Sequence, residues 1–203
     1  MNRLPLRFFT MTPFFRRCML TAHIVFSVGW IGAVAVFQVL VIKGLVSQGE
    51  EMMRAAYLVM DLVGWYVIVP CCFGSLITGL ILSLGSPWGL FNFSWVFVKL
   101  LATIVSTILL LMHMQPISHL AQMASAGMLS PAEHRGASIQ FIAEAGAALL
   151  VLLAATIISV YKPWGKIAWW PGKGKGRYLL PALVGVVLLF VIMHLISGGA
   201  HRH

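Results

Sequence analysis

This sequence predicts an all-α integral membrane bundle of about five transmembrane helices, forming one membrane domain over 1–203. Three observations predict it. Hydrophobic residues make up 60% of the chain, charged residues only 9%, and the mean hydropathy is +0.94. A soluble domain carries roughly 25% charged residues because its surface faces water, so the solvent for most of this chain is lipid. The apolar residues are gathered into five stretches, each long enough to cross ~30 Å at 1.5 Å per residue. Lysine and arginine flank those stretches, as they do at membrane boundaries. Lipid offers no partners for free backbone groups, which makes helices the natural form of each span.

The spans run over Met19–Ile42, Leu62–Leu84, Phe93–Gln115, Ile139–Tyr161 and Leu179–Ser197. Before the first, the basic start and Ala33-Val34-Ala35 imitate a secretory signal. The apolar run from Cys18 to Ile42 is nevertheless the length of a full span, so it is read as a retained helix. Pro70 lies inside the second span and is expected to bend it. Gly44–Asp61 and Pro116–Ser138 are expected to be polar exterior connections, each with a short surface helix, and Ser86–Gly89 a tight interior turn. Tryptophans 164, 169 and 170 after the fourth span fit the interfacial belt. Lysine and arginine set the orientation. Four in the leader (Arg3, Arg7, Arg16, Arg17) and five in the Lys162–Arg177 loop share one side, against Lys43, Arg54, Arg135 and Arg202 on the other. The expected topology is N-terminus cytoplasmic and C-terminus exterior, in a cell inner membrane.

The formal charge of +9 does not point to nucleic acid, because no basic helix face or basic–aromatic interleaving accompanies it. Three cysteines (Cys18, Cys71, Cys72) make no disulfide framework, and adjacent Cys71 and Cys72 point about 100° apart on a helix, which suits packing better than chelation. There is no catalytic triad, phosphate loop, nucleotide fingerprint or HExxH. Any enzymatic chemistry would be redox chemistry carried by a bound cofactor.

Ionisable groups within spans are costly and mark function, and they fall into two groups by depth. The inner group is His23 and Lys99, with Trp30 on the His23 face of the first helix and Gly29, Gly32 and Ala33 forming a surface that admits another helix or a flat cofactor. Lys99, Thr103, Ser106 and Thr107 make a polar stripe on the third span. Read plainly, Lys99 snorkels to the headgroups and His23 bonds a carbonyl. Read sharply, His23 is an axial haem ligand, and Lys99 is a second ligand or the partner of an anionic group. The outer group is His113 and His194 at about the depth of Glu144, with Asp61, His119, His134 and several methionines (Met60, Met112, Met114, Met123, Met128, Met193) nearby. Imidazole and thioether ligands together suit Cu(I), although methionine is also an ordinary apolar filler.

The stretch from His23 through Trp30 to Gly32 resembles the first helix of small bacterial membrane proteins that include the HemJ-type protoporphyrinogen oxidases and the CopD-type copper resistance proteins. The Ser94–Leu100 segment is similar to the third-helix segment of HemJ-type proteins, and the resemblance implies that His23 and Lys99 match that family's functional pair. Trp88–Phe91 and Ser159–Gly165 also resemble a bacterial family of integral membrane proteins of unassigned function, with the likeness running from Thr21 to Gly165. HemJ-type proteins have four helices and a basic segment after the first, where this chain carries Glu50 and Glu51.

The expected function is therefore a b-type haem protein with a redox role, either electron transfer or HemJ-like oxidation of a porphyrin or quinone partner. Arg16, Arg17 and Lys162 would pair with propionates. The alternatives are a copper transport or resistance protein using His113 and His194, and a non-catalytic subunit held by a membrane partner or a second copy.

Overall fold

A computed structural model describes residues 11–47, 49–85 and 94–161. It contains helix α1 (Pro13–Val46), α2 (Glu50–Val63), a π-helical turn (Gly64–Ile68), α3 (Val69–Gly85), α4 (Ser94–Ser125) and α5 (Pro131–Tyr161). α2, the π turn and α3 form one continuous rod, so the described residues contain four long helices of 31 to 36 residues, each apolar enough to cross a membrane. They fit a multi-pass membrane protein. The expected fifth span, the Ser86–Gly89 turn, the Lys162–Arg177 loop and the leader arginines Arg3 and Arg7 lie outside the described residues.

Local chemistry sets the helix ends. Thr12 caps α1 by accepting from the Phe15 amide at 3.3 Å, and Pro13 occupies the first turn, where its missing N–H costs nothing. Glu50 and Glu51 place negative charge on the first turn of α2. α4 ends on Gly127 at φ 68, with Met128 N bonded to Met123 O and Gly127 N to Ala124 O, the pattern that satisfies the last carbonyls. Ser130 and Glu133 then start α5 as a reciprocal capping box: Glu133 N donates to Ser130 Oγ at 3.3 Å and Ser130 N to Glu133 Oε2 at 3.1 Å.

Two sequence expectations are corrected. The connections at the end of the bundle away from Pro13 are not long loops with separate surface helices. They shrink to residues 47–49 and 126–130, because α2 and the last turns of α4 extend the spanning helices. The reason is burial: Ala56, Tyr57 and Met60 on α2, and Ile117, Ala121 and Ala124 on α4, all pack in the core. That packing carries α4 straight through Pro116. The irregularity expected at Pro70 takes the form of the π turn just before it, where Val69 N bonds to Gly64 O.

The four rods alternate in direction. α1 and α4 each pack on the α2–α3 rod and on α5. Trp30, Val34, Phe37 and Val41 supply the buried stripe of α1, and the Phe37 ring meets Phe141 edge-on at 6.3 Å. Outward-facing side chains are apolar instead: Leu150 and Val160 on α5 are each 70% exposed, which suits contact with lipid chains and would be unfavourable in water. Glycine permits the closest crossing of α1 and α3. A Cβ at Gly74 would sit 2.6 Å from the Phe26 ring. Gly74→Val is accordingly expected to destabilise the bundle by about 1–3 kcal/mol in a detergent unfolding titration; a Gly74→Val protein as stable as wild type would show that the two helices can move apart freely.

Candidate functional site

Two cavities among the described residues hold the candidate side chains. The first, about 340 Å³, lies at the end of the bundle where α1 begins and α5 stops, and both His23 and Lys99 line it. The structure thus brings to one space two residues 76 positions apart, one on α1 and one on α4. Arg16 lines the same cavity. Arg17 is exposed on α1, and Lys162 lies outside the described residues.

The bonding of His23 determines its tautomer. Nδ1 is 3.0 Å from Ser75 O and 3.1 Å from Thr78 Oγ1. A carbonyl can only accept, and the Thr78 hydroxyl hydrogen is directed at the Gly74 and Ser75 carbonyls. Nδ1 therefore carries the proton, and Nε2 of the neutral ring keeps a lone pair. The carbonyl bond expected of an ordinary buried histidine is present, and the same bond is the support that a metal-ligating histidine uses to fix its ring. Gly79 makes room for the ring, since a Cβ there would lie 3.0 Å from His23 Cε1. Ser27 Oγ and Ser75 Oγ, 2.8 Å apart, tie α1 to α3 one turn further in.

Lys99 donates from Nζ to Ser159 Oγ on α5. One hydroxyl does not neutralise an ammonium group. All five carboxylate side chains of the chain (Glu50, Glu51, Asp61, Glu133, Glu144) fall on α2 or on the first half of α5. The nearest along α5, Glu144, precedes Ser159 by fifteen residues, about 22 Å of helix. No acidic side chain of this chain reaches Lys99, so any neutralising side-chain-like anion has to come from another molecule.

The rest of the polar stripe serves the helices themselves. Thr103 and Thr107 bond back to the Lys99 and Thr103 carbonyls, and Thr107 Oγ1 also meets Cys72 Sγ at 3.1 Å. Cys72 is fully buried, and Cys71 Sγ lies 3.2 Å from where a Gly29 Cβ would stand, so this pair packs. The small-residue surface of α1 takes helix α3 at Gly29.

Trp30 does not join His23. It is 3% exposed and lines a second cavity of about 320 Å³, deeper in the bundle, together with His113 and Glu144. His113 Nε2 is 2.9 Å from Glu144 Oε1, and Nδ1 is 2.6 Å from Leu109 O. Both ring nitrogens are thus engaged, and Gln140 Nε2 donates to the same Glu144 oxygen at 2.7 Å. A copper ion at His113 would have to displace one of these bonds, and its expected companion His194 lies outside the described residues. The methionines scatter: Met60 and Met114 are in the core, while Met112 and Met128 are exposed. No cluster of three or more His, Cys, Asp or Glu suited to a metal occurs among the described residues. Haem makes a smaller demand, one or two axial side chains and a space for the ring.

No family model, curated protein or solved structure matches this chain.

The function therefore has to be argued from the site. Its donor set is one neutral imidazole with a fixed tautomer and two cations able to meet carboxylates. The cavity lies in the lower part of the ~300–1,000 Å³ range of small-molecule pockets. Several partners escaped sequence reasoning, namely Ser75 and Thr78 for His23, Ser159 for Lys99, and Gln140 for Glu144. For Ser159 a signal existed, a hydroxyl in an apolar run at the depth of Lys99. For Ser75 the acceptor is a backbone carbonyl, which no sequence pattern marks.

Proposed function

We propose that this chain is an inner-membrane haem or porphyrin-binding protein with a redox role, its ring held in the cavity that His23 and Lys99 share. The observation that carries the reading is the charge imbalance there. Lys99 and Arg16 line a membrane-embedded space that no acidic side chain of the chain can reach, beside a histidine whose Nε2 lone pair is available. An unneutralised ammonium in lipid is costly, and a ligand carrying carboxylates removes that cost.

In this reading His23 would hold the iron through Nε2, and the Ser75 carbonyl, accepting from Nδ1, keeps the ring in place. Lys99 faces an anionic group with the two N–H bonds that Ser159 leaves free. Arg16, at the exposed end, pairs with a second carboxylate near the headgroups. Bound haem supplies one-electron chemistry. The end of the bundle where α1 begins faces the cytoplasm, since the sequence assigns nine lysines and arginines to that side against four on the other.

The test is a reduced-minus-oxidised visible spectrum of the protein in detergent, expressed with haem supplementation, wild type beside His23→Ala. A b-type spectrum in wild type, reduced at least tenfold in the variant, is the expected result. No spectrum in wild type would remove haem from the account. If phosphate-headgroup lipid co-purifies in its place and is lost on Lys99→Ala, the cavity is a lipid site.

A further inference from the structure

The second cavity has no part in that reading, and its shape is that of a long slot. Along α4 it follows one helical face, from Ala102 through Ser106 and Leu110 to Ile117, and along α5 it runs from Phe141 to Leu152. The rise from Phe141 to Leu152 is about 16 Å, close to half of the ~30 Å hydrocarbon core and so to the depth of one leaflet. Spread over that length, a volume of about 320 Å³ makes a slot about 5 Å across. A helix from a second copy, about 10–12 Å wide with its side chains, is too broad to enter. An extended hydrocarbon chain, about 4 Å wide at the contact distance of its carbons, fits.

The openings of the slot agree with that occupant. Leu150 lines it and is 70% exposed, so the slot opens sideways onto the lipid-facing surface of α5. α4 packs less closely on α5 than on the α2–α3 rod, which leaves this side parted. Ala145, Ala147 and Ala148 keep the α5 wall smooth. The charged pair in the wall, His113 and Glu144, is held together and engaged by further groups, so it demands no polar partner from an occupant. Just beyond Ile117, Ser118 accepts from Trp65 Nε1 at 2.9 Å and donates to Asp61. An indole with its N–H on a polar group at the end of an apolar span marks the interfacial level. The slot therefore starts near headgroup depth and descends toward the midplane.

We propose that this slot binds one acyl chain of a membrane phospholipid, seated between α4 and α5 with its far end against Trp30. The level of Trp30 follows from the ring contact between Phe37 and Phe141. α1 and α5 run in opposite directions, so Trp30, two turns before Phe37, stands level with Ala148 at the deep end of the slot. The glycerol and headgroup stay at the interface beside Trp65 while the chain fills the gap that α4 and α5 leave. The lipid thereby sets the separation of the two helices. The site is independent of the His23 cavity.

The experiment places the full chain in phosphatidylcholine nanodiscs whose acyl chains are either unmodified or dibrominated near the chain end. Bromine quenches tryptophan only at short range, and Trp30, 3% exposed, is shielded from the lipid around the bundle. Subtracting the emission of Trp30→Phe from that of wild type isolates Trp30 from the other tryptophans. Its emission is expected to fall at least twofold in the brominated nanodiscs. Ala148→Leu, which fills the slot at that level, should restore most of it. Equal Trp30 emission in the two nanodiscs, or undiminished quenching in Ala148→Leu, would overturn the proposal. A second measurement uses wild type alone and depends on no variant folding. Native mass spectrometry from mild detergent should show one phospholipid retained per chain, and retention of an isoprenoid lipid in its place, or of none, would overturn the assignment.

Discussion

Replacing His113 with alanine is expected to destabilise the bundle by about 1–3 kcal/mol, one of the larger losses available to a single polar substitution here. The substitution removes one partner of Glu144, whose carboxylate sits 2.9 Å from Nε2 with its side chain only 17% exposed. Gln140 remains as a donor, but a neutral amide does not offset a charge in an apolar wall. The double variant His113→Ala, Glu144→Ala should recover much of the loss, because the half-buried carboxylate goes with it. A double-mutant cycle by unfolding in mixed micelles measures the coupling. Strict additivity would show that the two groups act independently and that water reaches them.

The second large effect has the opposite sign. Lys99→Met is expected to raise the stability of ligand-free protein by about 1 kcal/mol, since a partly buried ammonium is costly in a membrane bundle and only the bond to Ser159 is given up. The same substitution should weaken binding of a carboxylated porphyrin at least tenfold. This pairing of gain and loss is characteristic of a residue kept for a ligand. Binding comes from absorbance titration with haem, stability from unfolding in the same detergent. A Lys99→Met protein that loses stability while binding haem normally would make Lys99 a structural cation and leave the anion-binding role without support.

Much of the fold could be read along the chain, because hydropathy is a sum over consecutive residues and a span needs nothing else. The first four apolar stretches lie within long described helices, apart from Phe93 at the start of the third, which is outside the described residues. The helix ends near 47–49 and 126–130 were not legible. Residues 50–61 and 116–125 are polar enough to resemble loops, and only the burial of Tyr57, Met60, Ile117 and Ala121 against neighbouring helices keeps them helical. Tyr57 also bonds His134 and Ser138 from α2 to α5, a contact across 77 residues that no local pattern announces.

The site divides along the same line. Composition and spacing by themselves determined that His23 and Lys99 share one depth and that His113 and Glu144 share another. Depth follows from a rise of 1.5 Å per residue in helices whose directions alternate, so sequence position converts to height in the membrane. Which side chains meet at a given height depends on how each helix is rotated about its axis and which helices are neighbours. Those choices are made by packing: Gly74 admitting Phe26, Gly79 admitting His23, and Phe37 against Phe141. Only the tertiary structure decided that His23 and Lys99 line one cavity, that Trp30 belongs to another, and that His113 is already held by Glu144. The physical reason is that rotation and neighbour choice depend on contacts between distant residues, while hydropathy and rise are properties of each stretch alone.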